Sequence, residues 1–347
     1  MSGAFLRLTR EDRERRERDT LAGAATLSSE SRGRSIDEPP DPFRTVFQRD
    51  RDRILHSKAF RRLKHKTQVF MNPEGDHFVT RLTHTLQVTQ AGRSMAAALG
   101  LNEDLTEAIC LGHDVGHSPF GHTGEDALTP YVEGTWLHSE QSVRVMTVLE
   151  PLNLTWEVLD GIRAHSWKID PPPTTQEGYL CRYADRIAYL THDVQDALRE
   201  GVIRFEDLPN QGIAIFGDEP GSAWIGTMIE AVVDGSNEAG RVTMRADVLE
   251  AMHELRDFMF DRVYLRHDTN GQRERAVRII SQLVDYYARH PGEIPATYQV
   301  DDASALTKAI DYVSGMTDRY ALREHDRLFK PRLFPDDDMA PNRPAGV

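Results

Sequence analysis

Apolar residues in this chain recur mostly at helical spacing. Between positions 79 and 99, Leu82, Leu86, Met95 and Leu99 follow a helical repeat, and Gly100 stands where a helix would stop. Asn102 is a candidate N-cap for the next helix, with Leu105, Ala108 and Ile109 on its buried face. Val248, Met252, Leu255 and Met259 form one later stripe; Val277, Ile280, Val284 and Tyr287 form another, and both read as core. Strand signals are scarce, the best being the short, isolated GIAIFG at 212–217. Breakers gather at 170–173, 209–221 and 291–295, which are predicted loops. The pattern predicts an all-α fold without internal repeats.

Residues 1–42 are different. Arg10, Glu11, Asp12, Arg13, Glu14, Arg15, Arg16 and Glu17 alternate in charge and predict a solvated helix; SSESRGRSIDEPPDP then predicts a flexible stretch unless a partner orders it. The expected organisation is a flexible arm over 1–42, a single all-helical domain over 43–335, and a tail over 336–347. The chain has 347 residues, 39% hydrophobic and 28% charged, and a mean hydropathy of -0.52, as in soluble folded proteins. No apolar run approaches the ~18 residues of a membrane span, so no membrane partner is expected. The start, MSGAFLRLTREDRERRERD, lacks the apolar centre of a signal peptide. Cys110 and Cys181 are too few for a disulfide framework; they fit a reducing cytoplasm and read as small core residues. A net charge of -13 opposes whole-surface affinity for nucleic acid or anionic lipid.

Of 14 histidines, His77, His84, His113, His117, His122 and His138 crowd into one region, and AICLGHDVGHSPFGHTGEDAL is its densest part. Adjacent helical residues point about 100° apart, so His113 and Asp114 reach one ion only at a helix edge. Further ligands must come from other helices. His84 in RLTHTLQV is a candidate because its helix is expected to bury the Leu82/Leu86 side; Asp185 in CRYADRIAYLTHD is another, with Tyr189 one turn further on the same face. Two imidazoles and two carboxylates suit Mn²⁺, Fe²⁺, Co²⁺, Zn²⁺ or, less well, Mg²⁺. Pro119 and the glycines 116, 121 and 124 predict a turn beside that ion. His117, His122 and Glu125 in it could supply a general acid, its orienting partner and a phosphate contact.

Upstream, RDRDRILHSKAFRRLKHKTQVF carries Arg49, Arg51, Arg53, Lys58, Arg61, Arg62, Lys64 and Lys66. About half of such a run should be a solvated face; interleaved Ile54, Leu55, Phe60, Leu63, Val69 and Phe70 anchor the rest. Arg81 lies on the His84 face and could bring a guanidinium to phosphate.

These segments, with LHSEQSVRVM, NLTWEVLDGI, RYADRIAYLTHDVQDALREG and IDYVSGMTDRYA, occur in the order seen in one family. Over about 32 to 330 the sequence resembles the HD-domain deoxynucleoside triphosphate triphosphohydrolases, the bacterial dGTPase-like group in particular. The resemblance implies an all-helical HD phosphohydrolase fold, homo-oligomers that are often hexamers, and hydrolysis of a dNTP to deoxynucleoside and inorganic triphosphate. It implies a divalent ion, Mn²⁺ foremost, on His84, His113, Asp114 and Asp185. The catalytic pair falls on His122 and Glu125, a phosphate contact on His117, and a further active-site histidine on His138. Sugar and phosphate contacts fall on Gln68, Arg81, Arg186, Tyr189 and Asp193, with Gln68 and Tyr189 reading the deoxyribose. A nucleotide effector and, as in some relatives, single-stranded DNA are further implied partners. Gln87 stands where the family usually has Glu, and Trp136-Leu137-His138-Ser139 where it has Phe-Glu-His-Asn. Two competing expectations remain: an HD phosphohydrolase of another nucleotide class (5′-nucleotidase or cyclic-nucleotide phosphodiesterase), and a non-catalytic nucleotide sensor. In the favoured reading Arg61, Arg62, Lys66, Arg81 and Arg186 surround the ion inside an acidic exterior. That suits a small polyanion and excludes a duplex.

Overall fold

Several helices begin here where a short polar side chain accepts from the next turn. Thr9, Thr45, Thr80, Asn102, Thr175, Ser304 and Thr317 each do so. The computed structural model describes residues 5–68, 79–264 and 271–330; Val69, Phe70, His77 and the 336–347 tail lie outside them. The helices run α1 (Arg10–Thr20), α2 (Val46–His56), α3 (Lys58–Arg62), α4 (Arg81–Leu99), α5 (Glu103–Gly112), α6 (Gly121–Leu128), α7 (His138–Arg144), α8 (Trp156–Ala164), α9 (Gln176–Arg199), α10 (Asn210–Phe216), α11 (Ser222–Ala239), α12 (Ala246–Met259), α13 (Gln272–Arg289), α14 (Ala305–Ser314) and α15 (Asp318–Phe329). The fold is all-α. Among the described residues β-pairing is confined to two isolated bridges, Arg34 with Thr155 and Thr67 with Thr80. No helix among them is long and apolar enough to cross a membrane.

The larger core gathers apolar faces of α2, α4, α5, α8, α9, α11 and α12; a second gathers those of α6, α13, α14 and α15. Both stripes expected on α12 and α13 are core, with Val277 at the margin. The Gly100 stop and the Asn102 cap are also present: Gly100 adopts φ 66°, and Asn102 accepts from the Leu105 N–H at 3.1 Å. α4 faces differently from its apolar repeat. Its buried face carries His84, Thr85, Val88, Ala91, Gly92 and Met95, while Leu86 is 49% exposed. Gly92 permits this. A methyl there would sit 2.9 Å from Cys110 Sγ on α5 and 3.7 Å from Ala184 Cβ on α9, so the three helices meet with little side chain between them.

One expectation fails locally. GIAIFG is not a strand but most of α10, inside the segment expected to be loop. Such a short apolar run has the same look in either structure, and here Phe216 packs on Trp224 at a ring separation of 5.4 Å. The Ser/Gly/Pro stretch over 28–42 and the residues just before it hydrogen-bond to the helical body. Thr26 donates to Glu177 through its N–H at 3.0 Å and its hydroxyl at 2.8 Å, and Ser31 donates to Glu157 at 2.7 Å. Arg34 pairs with fully buried Asp50, which also accepts from the Thr155 N–H at 2.8 Å and hydroxyl at 2.6 Å. α1 is solvated as expected, with no buried residue.

Asp50→Ala removes the buried carboxylate shared by Arg34 and Thr155, leaving the Thr155 N–H and hydroxyl unpaired while Arg34 keeps Glu38 and the carbonyls of Val46 and Asn153. A buried donor left unpaired costs about 1–3 kcal/mol. The expected result is a lower melting temperature, with new protease cleavage inside 21–42 that the wild type resists.

Candidate active site

α4 and α9 carry His84 and Asp185, and the turn that follows α5 carries Asp114, to the floor of one cavity of about 510 Å³. His84 Nε2 lies 3.2 Å from Asp185 Oδ1; His113 Nε2 lies 3.7 Å from Asp114 Oδ1 and 3.9 Å from Asp185 Oδ1. His113 Nδ1 donates to the Cys110 carbonyl at 2.6 Å, one turn back, which leaves the Nε2 lone pair facing the two carboxylates. That nitrogen is buried and has no hydrogen-bond partner. His84, His113 and Asp185 form one three-donor group around this unsatisfied buried nitrogen, and Asp114, 3.7 Å from His113, forms a second with His117 and His138; imidazoles and carboxylates placed this way fit a divalent cation of the Mn²⁺–Zn²⁺ series. Burial lowers the His113 pKa and so keeps the ring in its neutral, ligating form. Burial opposes charge on Asp114 too, but Arg81, His113, His117 and His138 outweigh it and hold the carboxyl well below the usual range. Arg81 Nη1 donates to Asp114 Oδ2 at 2.8 Å.

The turn after Asp114 is braced from several sides. The Gly116 N–H donates to Ser142 Oγ at 2.9 Å, and the Phe120 N–H donates to Asp318 Oδ1 at 3.1 Å. Fully buried Lys66 donates from Nζ to the carbonyls of His117 and Ser314, and burial pushes its pKa down to about 7. Phe120 (φ 61°) and Gly121 (φ 59°) are both left-handed, which swings α6 back over the cavity. α6 then presents Glu125 to two histidines. Glu125 Oε2 accepts from His122 Nδ1 at 2.9 Å, and Oε1 accepts from His138 Nδ1 at 2.6 Å and from the His138 N–H at 3.1 Å. Burial works against ionised Glu125, yet His138, His117 and the two imidazole hydrogen bonds hold its pKa well below the usual range. For His138 burial again opposes charge, and Glu125 with Asp114 raises the pKa regardless. His117 stacks on His138 at 4.5 Å and has neither nitrogen bonded. His122, whose side chain is 69% exposed, stands at the mouth.

Gln68, Arg186, Tyr189 and Asp193 line the same cavity. Of the site residues expected from sequence only His113 is walled off, directly behind Asp114. Arg61, Arg62 and Lys66 do not line it. The wall cations are Arg81, Arg186, Lys168, Arg256 and Arg273. Sequence reasoning passed over Arg256, Phe260 and Tyr264, which sit one position along from the core residues Leu255, Met259 and Val263; their four-residue spacing was an available signal. It also passed over His165 and Trp167. Arg186 lies 4.3 Å over the Trp167 ring, with Nη1 3.3 Å from His253 Nε2. Asp193 Oδ2 accepts from the Tyr264 hydroxyl at 2.6 Å.

Burial pushes the Asp193 carboxyl up to about 7, whereas an unfolded carboxyl titrates near 3.8. Between those values the folded chain binds the extra proton, so this group's contribution to stability falls as pH rises. Asp193→Asn removes the ionisation. The variant is expected to exceed wild type in unfolding free energy by on the order of 3 kcal/mol at pH 8, with the gap narrowing toward pH 5. Urea unfolding at the two pH values measures it.

Comparison with known proteins places the chain in a family. Residues 81–190 match the HD domain and residues 242–327 the phosphohydrolase-associated domain. A deoxyguanosinetriphosphate triphosphohydrolase-like protein of Caldanaerobacter subterraneus subsp. tengcongensis is 48% identical, over 93% of this chain and 96% of its own length. Proteins of the same description from Desulfatibacillum aliphaticivorans and Clostridium perfringens are 44% and 43% identical, each over 93% of this chain and 98% of theirs. A solved phosphohydrolase from Bacteroides thetaiotaomicron superposes with a TM-score of 0.47 at 20% identity, over 78% of this chain and 66% of that one. With an HD domain, its associated domain and relatives this close over nearly the whole length, the chain belongs to the deoxyguanosinetriphosphate triphosphohydrolase-like family.

Proposed function

We propose that the protein hydrolyses deoxynucleoside triphosphates to a deoxynucleoside and inorganic triphosphate. The observation that carries this reading is the join of two surfaces in one cavity. The ligand-type floor of His84, Asp114 and Asp185, with His113 buried against it, continues into a wall bearing Arg81, Arg186, Lys168 and Arg256. A polyphosphate ester is the substrate class that such a wall and floor fit together. A divalent ion held by His84, His113, Asp114 and Asp185 would polarise a phosphoryl oxygen and acidify a bound water.

The remaining chemistry belongs to the chain's own residues. Arg81 and Arg186 neutralise phosphate charge that would repel an incoming hydroxide. His117, neutral because burial and then Arg81 push its pKa well below the ordinary value, offers an N–H to a phosphoryl oxygen. His122 is oriented by Glu125 through Nδ1, which frees Nε2 to deliver a proton to the departing 5′-oxygen. Tyr189 and Gln68 close on the sugar, and an aromatic wall there leaves no room for a 2′-hydroxyl. Asp193 and Tyr264 form a polar pair suited to a sugar hydroxyl.

A matrix of divalent metals against the four dNTPs, with detection of intact triphosphate, tests the reaction. Orthophosphate or a nucleoside monophosphate as first product would overturn it. His122→Ala should lower kcat by about 10²–10⁴ if the imidazole moves that proton; a loss under threefold removes the assignment. Tyr189→Ala should erode discrimination against ribonucleotides by about tenfold or more, judged from kcat/KM for matched dNTP and NTP pairs.

A further inference from the structure

His165 has no part in the chemistry above, yet it is buried in the cavity wall at 1% exposure. It ends α8, and its Nδ1 donates to the Ile162 carbonyl at 2.7 Å, so the lone pair is left on Nε2. That nitrogen lies 3.0 Å from His138 Nε2. Two imidazole nitrogens at this separation share one proton, and in this tautomer His165 Nε2 has none to give. His138 Nε2 is therefore the donor. At the other end of the same ring, Nδ1 faces Glu125, whose ionised carboxylate can only accept. Burial pushes His165 down to about 3, in keeping with a neutral acceptor.

We infer that His165 is a positioning residue: it accepts the His138 Nε2–H hydrogen bond and so fixes the plane of the His138 imidazole inside the cavity. Without His165 the ring keeps its Glu125 hydrogen bond and, at Nε2, only a 3.6 Å approach to Asp114 Oδ1, too long to hold its plane. With both hydrogen bonds, it is held at opposite corners, its face set against His117 at an interplanar angle of 17°. His117 has no hydrogen bond of its own, so the stack on His138 is what orients it toward a phosphate. The catalytic consequence rests on the hydrolase reading; the hydrogen bond does not.

The full-length protein is tested with His165→Leu, His165→Asn and His165→Gln. Asn keeps a donor for the Ile162 carbonyl but puts no acceptor opposite His138, whereas the Gln carbonyl reaches that place. With Mn²⁺ and a dNTP, Leu and Asn should lower kcat by about 10–100-fold while KM changes less than about threefold, and Gln should recover most of the loss. Metal per chain, read by atomic emission, should stay at the wild-type level. In histidine-labelled protein without nucleotide, an exchange-protected imidazole N–H resonance should be present. It should vanish in His138→Gln, which assigns it, and in His165→Asn.

Four results overturn the inference: wild-type kcat in His165→Asn, no recovery in Gln relative to Leu, activity that falls in step with metal content, or no protected wild-type resonance that is lost in both His138→Gln and His165→Asn. If the wild type hydrolyses no dNTP under any metal, the proposed function fails, and the resonance still decides the hydrogen bond.

Discussion

The ligand-type side chains come from three helices and can converge only because those helices touch over small residues. An imidazole and a carboxylate reach a common point only when their backbones are close, and helices usually pack 8–10 Å apart according to what lies between them. Between α4, α5 and α9 stand Gly92, Cys110, Cys181 and Ala184. The two thiols serve here as small apolar fillers one turn from the site, on the helices that carry His113 and Asp185. A bulkier residue at any of these points would move a ligand-type group away from its neighbours.

Around that floor the electrostatics form one connected set. Asp114 is shared, one oxygen accepting from Arg81 and the other facing His113 and His138. Glu125 is shared between His122 and His138. Burial would neutralise each group in isolation. Their mutual charges keep the carboxylates ionised, and each partner is desolvated by the same walls. The same burial at Asp193 has no cation in contact to offset it, and that carboxyl rises instead.

How much of this was legible in the sequence differs by residue. The His113-Asp114 pair, His84 and Asp185 stood out because each lies on a helix with a readable repeat. Yet the route to His84 through Leu82 and Leu86 named the wrong face, since α4 buries a seam of small and polar residues that hydrophobicity does not mark. The turn at 116–120 was legible from Gly116 and Pro119, but Gly121 and Gly124 are helical, so His122 and Glu125 stand on α6 and not in the turn. What braces the turn was not legible, because Lys66, Asp318 and Ser142 meet it only through tertiary folding. Lys66 looked like part of a cationic run and is in fact a buried strut. Likewise, Arg49 and Arg53 are held by Glu38 from the N-terminal segment, a partner that composition had marked as loose.

Lys66 also bears on the molecule's modularity. The HD match ends at residue 190 and the associated match begins at 242, as though two units had been strung together. The hydrogen bonds show something else. Lys66 donates across to Ser314, Thr67 and Phe120 both donate to Asp318, and Gln141 with Arg144 grips Asp311. Each of these ties the neighbourhood of the turn after Asp114 to α14 or α15. The C-terminal helices are therefore part of the cavity's scaffold, not an appendage. Exchanging either half for a distant relative's would break these hydrogen bonds unless both sides of that seam changed together.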